Sequence, residues 1–179
     1  RAQTLDSQMQ DVLTFLPKIF GRTIRKIIMN KSYRNTMEIA RYAEKLTGVK
    51  DVELLKRHGK EVVEEQFQTE DAVLDEILSK AKLGEDEYET AAIITMTEAE
   101  ASTLYQILKA RGEEVHYIDR NSSVFKKGLT VTTFYLAKGL EFDQVFGVFQ
   151  DAGNPMLNQA KYICATRALH ELYMYQITE

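Results

Sequence analysis

Apolar positions along the chain fall into two alternating rhythms. Ala91-Ala92-Ile93-Ile94-Thr95-Met96 is a short, nearly unbroken apolar run, the pattern of a strand covered on both faces within a parallel sheet. A helix is predicted directly after it. Thr97 with Glu100 makes a capping box, Ala101, Leu104, Tyr105 and Leu108 recur at helical spacing, and Gly112 stands where a left-handed C-terminal residue belongs. Val115 to Ile118 restarts a strand. Strand, helix and strand make a βαβ unit, whose crossover is expected to be right-handed.

The same alternation runs outward in both directions. Ile24 to Asn30 is a strand candidate, followed by Asn35 with Glu38 as a second capping pair and a helix carrying Ile39, Tyr42, Ala43 and Leu46 up to Gly48. Val62 to Phe67 is a weaker strand, and Val73, Leu74, Ile77, Leu78 and Ala81 mark a helix ending near Gly84. Leu129 to Leu136 and Val145 to Phe149 are β-rich, Met156 to Ala168 reads as helical, and Leu172 to Ile177 as a closing strand. Asp11 to Phe20 is an N-terminal helix candidate, within an extension taken as residues 1–22. Strands alternating with helices predict one layered α/β domain over residues 1–179 with a mainly parallel sheet. Such sheets hold ligands at the carboxyl ends of their strands.

Composition narrows the class. With 179 residues, 44% apolar and 28% charged, the chain is neither disordered nor fibrous, and no apolar run approaches the roughly 20 residues of a membrane helix. One cysteine, Cys164, cannot form an internal disulfide, which suits a reducing, cytoplasmic compartment, and its surroundings in sequence fit a small core side chain rather than a nucleophile. His58, His116 and His170 are scattered, so no structural zinc is expected. The net charge of −4 hides an asymmetry: residues 1–60 hold thirteen Lys and Arg against six Asp and Glu, and residues 61–100 hold two against thirteen. The basic segment can meet phosphates and the acidic one repels them, although both also read as solvated helix faces.

Three stretches carry candidate chemistry. Lys31-Ser32-Tyr33-Arg34-Asn35-Thr36 lies between a strand and a capped helix, where an arginine fork beside an aromatic face suits a phosphate with an adjoining base. The plain alternative is a surface Arg and a half-buried Tyr at a turn. Leu129 to Asp143 runs from a β-branched strand through Lys138-Gly139 to Glu141, offering a point charge, a close backbone approach and a carboxylate able to accept from a ribose hydroxyl. It also reads as a strand, a turn and an ion pair. Lys161 to Tyr173 contains a helix ending in Thr166-Arg167 just before the last strand, which is expected to bring Arg167 over the same strand edge; the alternative is a helix end with a salt-bridged Arg.

Taken together, the three resemble motifs of the second motor domain of UvrD/Rep-type superfamily 1 helicases, over most of the chain. Residues 31–36 resemble motif IV (Asn-Tyr-Arg-Ser-Thr), Thr133 to Phe142 motif V (Thr-x-His-x-x-Lys-Gly-Leu-Glu-Phe), and Tyr162 to Ala168 motif VI (Tyr-Val-Ala-x-Thr-Arg-Ala). The resemblance implies a three-layer, RecA-like α/β domain. It implies that Arg34 and Arg167 point at the γ-phosphate of ATP, that Tyr33 stacks on the base or ribose, and that Glu141, beside Gly139, contacts the sugar. Thr132, Thr133, Tyr135 and Lys138 would lie near single-stranded DNA or on the path coupling it to ATP. Both arginines stand at element termini, outside the expected apolar core.

Tyr135 stands where motif V has histidine, and the run from Tyr135 to Asp143, with Ala165-Thr166-Arg167-Ala168-Leu169-His170-Glu171-Leu172 after it, is similar to the HelD-like branch. Some members of that branch act on RNA polymerase. The chain has no Gly-x-x-x-x-Gly-Lys-[Ser/Thr] loop and no Asp-Glu pair after an apolar strand, so it carries half an ATP site. The resemblance therefore implies a monomeric C-terminal piece of a longer motor. The Mg2+ ligands and phosphate loop would belong to an N-terminal RecA-like domain of the same polypeptide. The competing reading is a non-catalytic docking module for RNA polymerase.

Overall fold

The computed structural model describes residues 31–32, 35–48, 53–54, 57–84, 88–122, 126–150 and 152–178, with backbone alone at 31–32 and 53–54. Two short strands, β1 (Lys31–Ser32) and β2 (Glu53–Leu54), pair in parallel. The main sheet is built from β3 (Val63–Phe67), β4 (Thr90–Thr95), β5 (Val115–Tyr117), β6 (Gly128–Thr133), β7 (Phe142–Phe149) and β8 (Ala168–Ile177). Every neighbouring pair is parallel, in the order β3-β8-β7-β4-β6-β5. Among the described residues four helices accompany it: α1 (Met37–Thr47), α2 (Glu70–Lys80), α3 (Glu98–Ala110) and α4 (Leu157–Arg167).

The period-two alternation of the strands sorts the core into two layers. Ala92 and Ile94 of β4, Val145 and Phe149 of β7, and Leu172 and Met174 of β8 pack with Ile39 of α1 and Ala160, Ile163, Cys164 and Ala165 of α4. Ala91, Ile93, Phe146, Val148, Tyr173 and Tyr175 point the other way, onto Val73, Leu74 and Ile77 of α2 and Ala101, Leu104 and Leu108 of α3. Helices on both faces of a parallel sheet give the three-layer, RecA-like α/β arrangement that the resemblance implied. Cys164 is fully buried and burial pushes its thiol upward, as suits a core side chain. No helix among the described residues is long and apolar enough to cross a membrane.

The segment from β4 to β5 follows its pattern closely. Thr97 and Glu100 form the reciprocal capping box, and Gly112 takes φ +81° while the amides of Gly112 and Glu113 close the helix onto Lys109 and Leu108. Elsewhere the boundaries move. The N-cap of α1 is Thr36, whose hydroxyl accepts from Ile39 N, rather than Asn35; Asn35 and Glu38 are drawn into tertiary contacts instead. Helix α2 ends at Lys80, with Ala81 as its C-cap, before Gly84. Strand β6 stops at Thr133 rather than Leu136, because Ala137 N turns back to Thr133 O. Strand β7 begins at Phe142, and β8 at Ala168, directly out of α4. The strand candidate at 24–30 and the helix candidate at 11–20 lie outside the described residues.

Glu38 is 9% exposed, and its two carboxylate oxygens accept from His58 Nδ1 (2.9 Å) and Gly59 N (2.8 Å). The His58 hydrogen bond, foremost, holds the carboxyl down to about 2 from an ordinary 4.5. Because the folded value lies below the unfolded one, its contribution is complete above pH 4.5 and is lost as the pH falls toward 2. The expected result is a urea midpoint that declines with acid through this window, with a flatter decline for Glu38→Gln; equal slopes for the two proteins would contradict it.

Candidate functional site

In an all-parallel sheet every strand ends on one edge and begins on the other, so the chain position of a residue relative to its strand decides which edge it occupies. Thr132 and Thr133 close β6, beside Ile94 and Thr95 at the end of β4. Gly139 and Glu141 precede β7, and Arg167 precedes β8. The sequence-predicted residues therefore divide between opposite edges. Arg167 lies at the amino edge and not over the carboxyl ends expected from the sequence, because α4 runs back across the sheet before β8 begins.

At the amino edge, segments far apart in sequence are tied together. Asn35 Nδ2 donates to Ala165 O (2.9 Å) and Ala168 O (2.6 Å), which joins the start of α1 to the end of α4. Arg167 Nη1 donates to Leu140 O (3.1 Å), between Gly139 and Glu141, while Nε and Nη2 both reach Thr166 Oγ1 (3.3 Å). Arg167 stands at a helix terminus, as expected, but is only 4% exposed. Gly139 takes φ +85° in an exposed turn, a conformation that glycine adopts without strain. Glu141 and Lys138 are half-buried. Tyr33 and Arg34 lie outside the described residues.

At the carboxyl edge, Thr132 Oγ1 donates to Ile118 O (3.0 Å), while the buried Thr133 hydroxyl has no partner among the described residues. The Tyr135 hydroxyl donates to Glu98 Oε1 (2.8 Å), to which Arg120 Nε also donates (2.9 Å). These bonds, Tyr135's first, hold the Glu98 carboxyl below the usual carboxylate range. The segment 134–141 links the two edges: Ala137 N bonds Thr133 O at one end, and Leu140 O receives Arg167 at the other.

A polar network at the amino ends of β4, β7 and β8 was not anticipated from sequence. Glu171, 4% exposed, accepts from Tyr173 (2.6 Å), Gln144 (2.9 Å), Lys82 (3.1 Å) and Tyr88 (3.3 Å), and pairs with Lys60 (3.3 Å). Burial alone would raise its carboxyl, but these hydrogen bonds and the Lys60 charge bring it down to about 2. His170 stacks on Tyr88 and accepts from Arg57 Nη2 at Nδ1 (2.6 Å), with Asp143 3.6 Å from Nε2. Burial first, and then the Arg57 charge, lower its pKa, so the ring is neutral and its Nδ1 free to accept. Asp143 accepts from Glu89 N, Thr90 N and Thr90 Oγ1. The one sequence signal is an ionisable pair, His170-Glu171, near the start of a mostly apolar strand.

No family model matches the chain, and no curated protein does. Among solved structures, it is similar to the C-terminal domain of a possible DNA helicase from Lactobacillus plantarum WCFS1, at 29% identity and a TM-score of 0.63, over 82% of this chain and 88% of that one. The chain thus shares its fold with that C-terminal domain over nearly the whole of both. Nonstructural protein 10 of arterivirus, a helicase, matches at 14% identity alone and 12% in its complex with DNA, with TM-scores of 0.43 and 0.42, over 65% of this chain and 27% and 28% of the viral one.

Proposed function

We propose that the chain is the C-terminal motor domain of an ATP-dependent DNA helicase or translocase of the UvrD/Rep type in superfamily 1, nearest its HelD-like branch. In this reading residues 1–179 act as one domain, with 1–22 as a helical extension. The domain works as a monomeric cytoplasmic motor with an N-terminal RecA-like domain of the same polypeptide. The observation that carries it is the meeting, at one sheet edge, of the three segments that resemble motifs IV, V and VI: Asn35 on Ala165 and Ala168, and Arg167 on Leu140. The similarity to a possible helicase's C-terminal domain supports it.

The donor set suits half of an ATP site. Two guanidinium groups, Arg34 and Arg167, would meet the γ-phosphate, Tyr33 the base or ribose, and Glu141 beside the open Gly139 turn the sugar. The Mg2+ ligands are assigned to the partner domain, because this sequence lacks the phosphate loop and the Asp-Glu pair after an apolar strand. ATP with Mg2+ supplies the phosphoryl bond whose cleavage drives the motor. Phosphoryl transfer depends mainly on positioning and charge stabilisation, the task of a planar guanidinium. The Arg167 head now bonds Leu140 O, so closure on nucleotide would exchange a carbonyl for phosphate oxygens. That exchange would release the Leu140 end of segment 134–141, whose other end is bonded to Thr133; Thr132, Thr133, Tyr135 and Lys138 would pass the resulting movement to single-stranded DNA.

Two outcomes are expected of the 179-residue chain by itself. It should not hydrolyse ATP, since it has no phosphate loop, and it should bind single-stranded DNA weakly, with affinity falling steeply as salt rises. Turnover assays and oligonucleotide titrations at two salt concentrations check both. Hydrolysis abolished by Arg167→Ala would contradict the half-site, and tight binding at physiological salt would contradict the DNA placement. A docking module for RNA polymerase becomes the better reading only if arginine variants of the intact protein retain normal turnover.

A further inference from the structure

Lys60 and Lys82 converge on a single atom, Glu171 Oε1, at 3.3 and 3.1 Å. Their burial differs from its own: the Glu171 side chain is 5% exposed, those of Lys60 and Lys82 53% and 39%. The carboxylate faces inward, its oxygens shared among Tyr173, Gln144, Tyr88 and the lysines. Of its three N–H groups Lys82 donates one to Glu171, and Lys60 forms an ion pair with the same carboxylate, so both ammonium groups present further donors to solvent. Arg57 lies on the same edge: its carbonyl accepts from Met37 N, its guanidinium reaches His170, and His170 stacks on Tyr88, whose hydroxyl meets Glu171.

One ammonium would neutralise Glu171. The second adds a charge that the buried carboxylate does not require, and Glu171 holds both heads in place instead of leaving them on free stems. The carboxylates of the cluster lie inward, with the side chains of Glu171, Glu38 and Asp143 5%, 8% and 19% exposed, whereas those of Lys60 and Lys82 are 53% and 39% exposed, so the charges nearest solvent are cationic.

We propose that Lys60 and Lys82, held by Glu171 and flanked by Arg57, form a binding site for phosphate oxygens. A phosphoryl group seated there would take one ammonium on each of two oxygens without displacing either from Glu171. The phosphate comes from a nucleotide's polyphosphate or from a nucleic-acid backbone. Only that choice of sources rests on the motor reading; the site itself stands on the lysine geometry.

The test is titration of the 179-residue chain, at low salt, with inorganic pyrophosphate and separately with an oligothymidylate. Binding of at least one probe is expected, weakened about 5- to 10-fold by Lys60→Ala and more in the Lys60→Ala, Lys82→Ala pair, since a charge-assisted hydrogen bond is lost each time. Lys127→Ala, at a lysine paired with the exposed Glu89, should change nothing. Glu171→Gln is the informative variant: its amide oxygen keeps an acceptor beside both lysines while the competing charge is gone, so a phosphate site should bind several-fold tighter, whereas unchanged or weaker binding would count against the proposal. Should the lysine pair fail to fold, Lys60→Ala and Glu171→Gln decide. Pyrophosphate binding alone supports a nucleotide source and oligothymidylate binding alone a backbone source. No binding of either probe at millimolar concentration, or binding indifferent to Lys60→Ala and Glu171→Gln, overturns the proposal. Loss of the motor reading would show in turnover of the Arg34 and Arg167 variants, a separate measurement.

Discussion

Replacing Arg167 by alanine in the intact motor is expected to lower ATP turnover by about 10²–10⁵, the range associated with a finger-type arginine. Arg34→Ala should do the same. The loss belongs mainly in kcat, because a guanidinium on the transferring phosphoryl group acts on charge that develops in the transition state. Tyr33→Ala should mainly raise KM, since stacking on a base contributes equally to ground and transition states. Arg167 differs from an exposed finger in one respect: it is 4% exposed and satisfies Leu140 O. Its removal should also cost about 1–3 kcal/mol of stability through the carbonyl left unpaired. Turnover must therefore be compared at temperatures well below the melting points of both proteins.

The largest expected loss of stability comes from Phe146→Ala. Phe146 is fully buried at the middle of β7, stacked on Tyr173 at a centroid distance of 4.8 Å and 14° between planes, and 6.2 Å from Tyr175. Truncation removes its apolar contacts and leaves a cavity between the sheet and the α2–α3 layer that neighbouring rings cannot collapse into, at a cost of about 3–5 kcal/mol. That is a large share of the roughly 5–15 kcal/mol that holds a domain folded, and corresponds to a fall of about 6–20 °C in Tm for a chain of this length. Phe146→Leu should cost a fraction of this. Thermal unfolding of the two variants checks it, and a shift of a degree or two for Phe146→Ala would mean that β7 is not central to the core.

The segments that were legible in the sequence are those whose determinants are local. β4, α3 and β5 follow from an apolar run, a capping box and a glycine that needs a positive φ, all within 90–117. The start of α1 misleads because Asn35 and Thr36 are both capping types and Glu38 stands three residues after the first. What decides between them is non-local: Asn35 bonds carbonyls some 130 residues away, and Glu38 is claimed by His58 and Gly59. The edge that Arg167 occupies is readable from sequence, since a residue that precedes a parallel strand cannot lie at its carboxyl end, and the tendency of ligands to gather at carboxyl ends does not extend to such a residue. Glu171's partners could not have been found from pattern. Residues 60, 82, 88, 144 and 173 belong to four elements or loops, and only the packed sheet brings their polar ends together.

The central claim is that a planar guanidinium from this chain completes an ATP site built on another domain. Arg167→Lys tests it most directly, because lysine keeps a positive charge at the same helix terminus but cannot reproduce a fork across two phosphate oxygens. The measurement is DNA-stimulated steady-state ATP turnover of the intact protein, with the melting temperature of the variant alongside. The account predicts turnover reduced at least 100-fold, on the order expected for a lost finger, with the protein still folded. Turnover near that of the unaltered protein would contradict it.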